Sequence, residues 1–75
     1  MNITMMKRGD RAKVRSFDDL PKPYIERLMD VGIYESAEVT LLNILAMGRL
    51  FLLEIDDVEI CIRKEDAAKI EVITV

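Results

Sequence analysis

Cys61 is the only thiol in this 75-residue chain, and the chain contains no histidine. Those two facts limit the chemistry at once. Nucleophilic catalysis needs a hydroxyl or thiol beside a base, and Ser16 and Ser36 sit next to turn signals with no imidazole anywhere to activate them. Paired carboxylates occur at Asp18-Asp19, Asp56-Asp57 and Glu65-Asp66, but adjacent acids in turns serve as caps and solubilising charge. The glycines form no G-x-x-x-x-G-K phosphate loop. Transition metals prefer thiolate and imidazole ligands. The metal candidates therefore reduce to Cys61 with Glu59 and Glu54, a weak surface set that a second copy of the chain could complete. The residues point away from an enzyme and call for no cofactor.

Charge narrows the partners. Fourteen acidic and eleven basic residues leave a formal net charge of −3, whereas nucleic-acid binders carry a basic footprint. No basic cluster is longer than Lys7-Arg8 or Arg63-Lys64, so DNA and RNA are disfavoured. The start, MNITMMKRGD, lacks the apolar run of a signal peptide. The uncharged stretch Val39–Gly48 falls far short of the ~20 apolar residues that span a bilayer, so direct membrane insertion is not expected. A lone cysteine suits a reducing compartment, and the expectation is a soluble cytoplasmic protein. With 51% apolar positions, one small core is feasible, and the whole chain, residues 1–75, reads as a single domain.

The elements that must position these residues follow from periodicity. Met1–Met6 is either a frayed end or a short edge strand. Gly9-Asp10 signals a turn, and Arg11–Phe17 alternates as a first strand. Asp18-Asp19-Leu20-Pro21 reads as the start of a helix. Within that helix Ile25, Leu28 and Met29 form one apolar stripe, and Gly32 stands where a left-handed residue ends it. Ala37–Leu45 and Leu50–Asp56 are strand-like runs joined by the loop Ala46-Met47-Gly48-Arg49. Asp56-Asp57 turns the chain into Val58–Arg63, where Val58, Ile60 and Ile62 alternate with Glu59, Cys61 and Arg63. Lys64–Ala68 suggests one helical turn and Ile70–Thr74 a last strand. Five short antiparallel strands in so small a chain suit a barrel, in which closure removes exposed edges.

The residues also resemble a known family. Arg27-Leu28-Met29-Asp30-Val31-Gly32-Ile33 is similar to the R-L-L-x-x-G-hydrophobic signature of the FeoA family, the ferrous iron transport protein A group. Ile60–Val72, ICIRKEDAAKIEV, is similar to that family's closing pattern of apolar strand, arginine, alanine and final strand. Gly9-Asp10 with Ala12 fits as well, so the resemblance spans roughly Lys7–Val72. Glu35-Ser36 stands where a Pro-Gly turn is usual, the hairpin loop keeps only Gly48 of the family's Ala-Pro-x-Gly-Asp-Pro, and Asp57 replaces a turn glycine. These departures touch loops rather than core. The resemblance implies a mainly β fold, a small SH3-like five-stranded barrel with an α-helix inserted after the first strand. It also implies a non-enzymatic cytoplasmic accessory of the ferrous iron permease FeoB.

Alternation along the hairpin suggests where a partner would bind. With Phe51, Leu53 and Ile55 inward, Leu50 and Leu52 face out; with Val39 and Leu41 inward, Leu42 and Ile44 face out. Leu45 and Met47 stand at the tip. An uncharged strip of this kind marks an interaction surface, unless the twisted hairpin folds over the helix and buries it. The candidate partner-binding set is therefore Leu42, Ile44, Leu45, Met47, Leu50 and Leu52. Leu28 joins it from the helix stripe, whose residues otherwise belong to the core. Two functions follow: a factor that binds and regulates a FeoB-type GTP-dependent permease, or a self-associating metal-responsive module that holds a divalent ion between subunits. An aromatic-lined peptide groove fits less well, with only Phe17, Tyr24, Tyr34 and Phe51 to build it.

Overall fold

The computed structural model describes residues 1–15, 17 and 20–75, so the proposed Asp18-Asp19 cap and Ser16 lie outside the described residues. Five strands occur in the expected order: β1 (Arg11–Val14), β2 (Glu38–Leu45), β3 (Leu50–Ile55), β4 (Val58–Arg63) and β5 (Val72–Thr74). Helix α1 (Lys22–Asp30) follows β1, and the single turn α2 (Lys64–Ala67) separates β4 from β5. All neighbours pair antiparallel in the order β4-β3-β2-β1-β5. The overall extents, 29 × 25 × 22 Å, show that the sheet curls around one core instead of lying flat. No helix of the described residues is long and apolar enough to cross a membrane.

Alternation explains which side chains the curl encloses. Val39, Leu41, Phe51, Leu53, Ile55, Ile60 and Ile62 are all buried, while Glu59, Cys61 and Arg63 stay exposed. Ala67 and Ile70 close one end of the core from α2 and the segment after it. The N-terminal residues are neither frayed nor a strand. Ile3–Met5 form a short 3-10 turn, with Ile3 and Met6 buried. The Ile3 N–H donates to the Ile70 carbonyl at 3.2 Å, and the Val72 N–H donates to the Met1 carbonyl at 2.7 Å. The first residues thus lie beside Ile70–Val72, where β5 begins.

Helix α1 begins with Pro21 and Pro23 in its first turn, where a missing N–H leaves nothing unpaired. It ends as the glycine foretells. Gly32 takes φ +102°, its N–H donates to the Met29 carbonyl at 3.0 Å, and the Ile33 N–H donates to the Leu28 carbonyl at 2.9 Å. This double closure is a Schellman motif, completed by burial of both Leu28 and Ile33. A turn through Ser36, whose φ is 71°, then leads into β2. Gly32 also lies close to β4: a Cβ built there would stand 3.2 Å from Ile60 Cδ1.

The stripe on α1 differs from the expected one. Leu28 is buried, at 5% exposure, and Ile25 and Tyr24 pack partly against the core, but Met29 is 56% exposed. A nine-residue helix lying across a curled sheet covers only a narrow strip, and Leu28 occupies its centre. Leu28 therefore packs as a core residue.

Candidate functional site

The β2–β3 hairpin is built on an irregular ladder. Thr40 pairs with Glu54 and Leu41 with Leu53, but then Asn43 pairs with Leu52, so Leu42 is the extra residue of a β-bulge. The bulge reverses the inside-outside parity of β2. Without it Asn43 would follow Val39 and Leu41 inward. With it Asn43 and Leu45 turn outward beside Leu52 and Leu50, and Ile44 lies opposite the buried Phe51. Ile44 thus belongs to the same side as Phe51, contrary to strict alternation. It is nevertheless 41% exposed, because the core ends beneath it.

The loop beyond these strands is strained. Ala46, Met47 and Gly48 have φ of 52°, 59° and 89°, three consecutive left-handed residues of which only glycine adopts that region freely. Arg49 braces the turn: its backbone N–H and its Nε donate to the Ala46 carbonyl at 3.3 and 3.2 Å. The result lifts Met47 clear of the molecule, at 96% exposure. Ile44 and Leu45 are exposed on either side of the ladder, whereas Leu42, Leu50 and Leu52 are half-buried. The apolar surface is accordingly concentrated at the tip, with a half-covered strip leading to it.

A groove of about 370 Å³ lies between α1 and β4, lined largely by Leu28, Val31, Ile60 and Ile62, with Tyr24, Arg27, Cys61, Arg63 and Asp66 at its margins. Tyr24 joins the two helices. Its hydroxyl donates to Asp66 Oδ1 at 2.5 Å, and its ring lies 5.1 Å from Lys69 Nζ and 5.7 Å from the Arg27 guanidinium. Partial burial, reinforced by the bond to the Asp66 carboxylate, pushes the Tyr24 hydroxyl up from 10.0 to about 12. Tyr34 makes a matching bond to Asp56 at 2.6 Å, which raises its own pKa. Sequence reading missed the Tyr24–Asp66 contact, because residues 42 apart carry no local signal.

The proposed metal ligands share a sheet face without closing into a site. Glu54 and Glu59 are direct partners across β3 and β4, and Cys61 lies opposite Leu52 one step further along. Among the described residues no three His, Cys, Asp or Glu side chains group to hold a metal ion.

Comparison with known proteins bears on what these surfaces serve. No curated protein matches the chain. Among solved structures, the FeoA protein from Chlorobium tepidum superposes with a TM-score of 0.87 at 27% identity, over 100% of this chain and 70% of that one. FeoA of Stenotrophomonas maltophilia, solved with zinc and described as a prokaryotic SH3 domain protein and candidate ferrous iron transport activating factor, superposes at 0.77 with 21% identity, over 96% of this chain and 88% of that one. A manganese-dependent transcriptional repressor superposes at 0.86 with 16% identity, and this chain spans 41% of its length. The five-stranded antiparallel fold with its helix after β1 is thus the SH3-like fold expected. The FeoA domain family matches residues 1–74, and with a fold shared over essentially the full length, the chain belongs to the FeoA family, a group of small accessory domains linked to ferrous iron transport.

Proposed function

We propose that this protein is a non-enzymatic accessory factor of ferrous iron uptake that docks, in the cytoplasm, onto the water-exposed part of a FeoB-type permease and regulates it. The docking element is the hairpin tip, Ile44, Leu45 and Met47, with Leu42, Leu50 and Leu52 as a half-covered strip behind it. The observation that supports this reading is Met47. A methionine 96% exposed on a run of left-handed residues is costly twice over, in solvated apolar surface and in backbone strain. Strain of this kind is retained where a displayed side chain has a use. Methionine suits a contact surface because its flexible thioether adapts to an irregular pocket.

Covering the tip would contribute roughly 25 cal/mol per Å² of apolar surface before association costs are subtracted. The link between the family and ferrous iron transport supports the choice of partner. The test is co-purification with the permease. Leu45→Asp with Met47→Asp should leave a folded protein that no longer co-purifies, and undiminished co-purification with a normal melting curve would contradict the proposed surface. Sedimentation of the free protein with and without a divalent ion separates this reading from metal-bridged self-association, which alone makes the size metal-dependent.

A further inference from the structure

The two edges of the sheet are treated differently. The start of β5 is bonded to the first residues of the chain, through the Val72 N–H bond to the Met1 carbonyl and the bridge between Asn2 and Glu71. The outer side of β4 has no such cover. Asp56 and Asp57, with φ of 54° and 64°, form a two-residue turn of the type that joins hairpins, and the β3–β4 register then runs unbroken from Ile55–Val58 to Leu50–Arg63. A turn of this kind makes Ile55 and Val58 a hydrogen-bonded pair. Alternation then turns the backbone N–H and C=O groups of Glu59, Cys61 and Arg63 away from β3. Among the described residues no other strand bonds those groups on that side; the Arg63 carbonyl is taken up as the N-cap of α2, which leaves both backbone groups of Glu59 and Cys61 and the Arg63 N–H along the edge.

We propose that this edge of β4 pairs with the β4 edge of a second copy of the chain, antiparallel and centred on Cys61. The strand is self-complementary in that arrangement and in no parallel one. Glu59 lies opposite the partner subunit's Arg63, and Arg63 opposite the partner subunit's Glu59, while Cys61 faces the partner subunit's Cys61. Each charge occurs twice, as a two-fold interface requires. In-register parallel pairing would instead set like charges side by side. Glu59, Cys61 and Arg63 are exposed, and neither Glu59 nor Arg63 takes part in an ion pair among the described residues. A groove of about 370 Å³ separates α1 from β4, with Cys61 and Arg63 among its lining residues. A six-residue strand buries little area, so the dimer is weak and concentration-dependent, in the class of transient contacts. It leaves Met47 free and does not depend on the permease reading.

Cys61 supplies the reporter. Directly opposed residues of a hydrogen-bonded antiparallel pair have Cα atoms about 5.5 Å apart, inside the range a disulfide spans. Oxidation of concentrated protein with diamide should therefore give a disulfide-linked dimer on a non-reducing gel. Arg63→Glu alone or Glu59→Arg alone should lower its rate of formation roughly tenfold by setting like charges opposite each other. The double variant Glu59→Arg/Arg63→Glu should restore it. Both positions are exposed, and circular dichroism checks that each variant is folded. Equal rates in all four proteins, or no dimer from the unaltered chain, would overturn the proposal.

Discussion

The Tyr24 hydroxyl donates to Asp66 Oδ1 at 2.5 Å, tying the inserted helix α1 to the single turn α2 that follows β4. The two ends of this bond belong to the two segments that set the chain apart in sequence, the helix ending at Gly32 and the closing Ile60–Val72 stretch. The bond therefore shows how an insertion after β1 is held against a fold completed some forty residues later.

Tyr24→Phe should lower stability by about 1 to 2 kcal/mol, the net worth of a hydrogen bond to a charged group with some allowance for partial exposure. The pH dependence has a definite sign. The folded state raises the Tyr24 pKa from 10.0 to about 12. On raising the pH, the unfolded chain therefore loses this proton first, and stability falls. The contribution is fully present below pH 10 and is lost as pH rises towards 12. Denaturant titrations between pH 9 and 12 should show a shallower decline for Tyr24→Phe than for the parent; some slope persists because Tyr34, bonded to Asp56, shifts in the same direction.

Leu28→Ala should cost about 2 to 5 kcal/mol, the range for truncating a buried leucine. Met29→Ala, one residue away and mostly exposed, should change stability by no more than about 0.5 kcal/mol. A pair of urea melts decides which face of α1 is core, and similar losses in both variants would contradict the placement of Met29.

Gly32→Ala should destabilise by roughly 1 to 2 kcal/mol, because φ of +102° is unfavourable for any side chain. The added Cβ would also meet Ile60 Cδ1 at 3.2 Å. Thermal unfolding checks this; an unchanged midpoint would mean that α1 ends in another way.

Much of this arrangement was legible beforehand, for identifiable physical reasons. Val58–Arg63 is a strand over that exact range, alternating from Glu59 onward although Val58 at its start is exposed, and the glycine stop at Gly32 specified the end of α1. What escaped was decided by tertiary context. The bulge at Leu42 is invisible to a period-two reading, which sends Ile44 outward when the ladder places it opposite Phe51. The apolar stripe of α1 gave Leu28 and Met29 equal weight, although only the strip beneath Leu28 is covered. Met1–Met6 carries no strong pattern of its own and is fixed by Ile70 and Val72 from the far end of the chain. The charge symmetry of Glu59 and Arg63 about Cys61 is written in the sequence, but it acquires meaning only once β4 is known to be an uncovered edge.

Ala46→Gly should stabilise the protein by about 1 kcal/mol, since glycine adopts the left-handed region without the penalty alanine carries at φ of 52°. Met47→Asp should leave the melting temperature nearly unchanged, because the side chain touches almost nothing. The two variants separate strain in the loop from the surface it displays, and a large loss of stability in Met47→Asp would show that the tip is part of the fold.

The docking claim is tested most directly by titrating the isotopically labelled protein with the cytoplasmic part of a FeoB-type permease and following backbone amide shifts. The proposed function predicts that the perturbed amides cluster between Ile44 and Leu52 and that Met47→Asp abolishes the changes. Shifts concentrated elsewhere, such as along Glu59–Arg63, or no shifts at all with a permease domain shown to be folded, would contradict it.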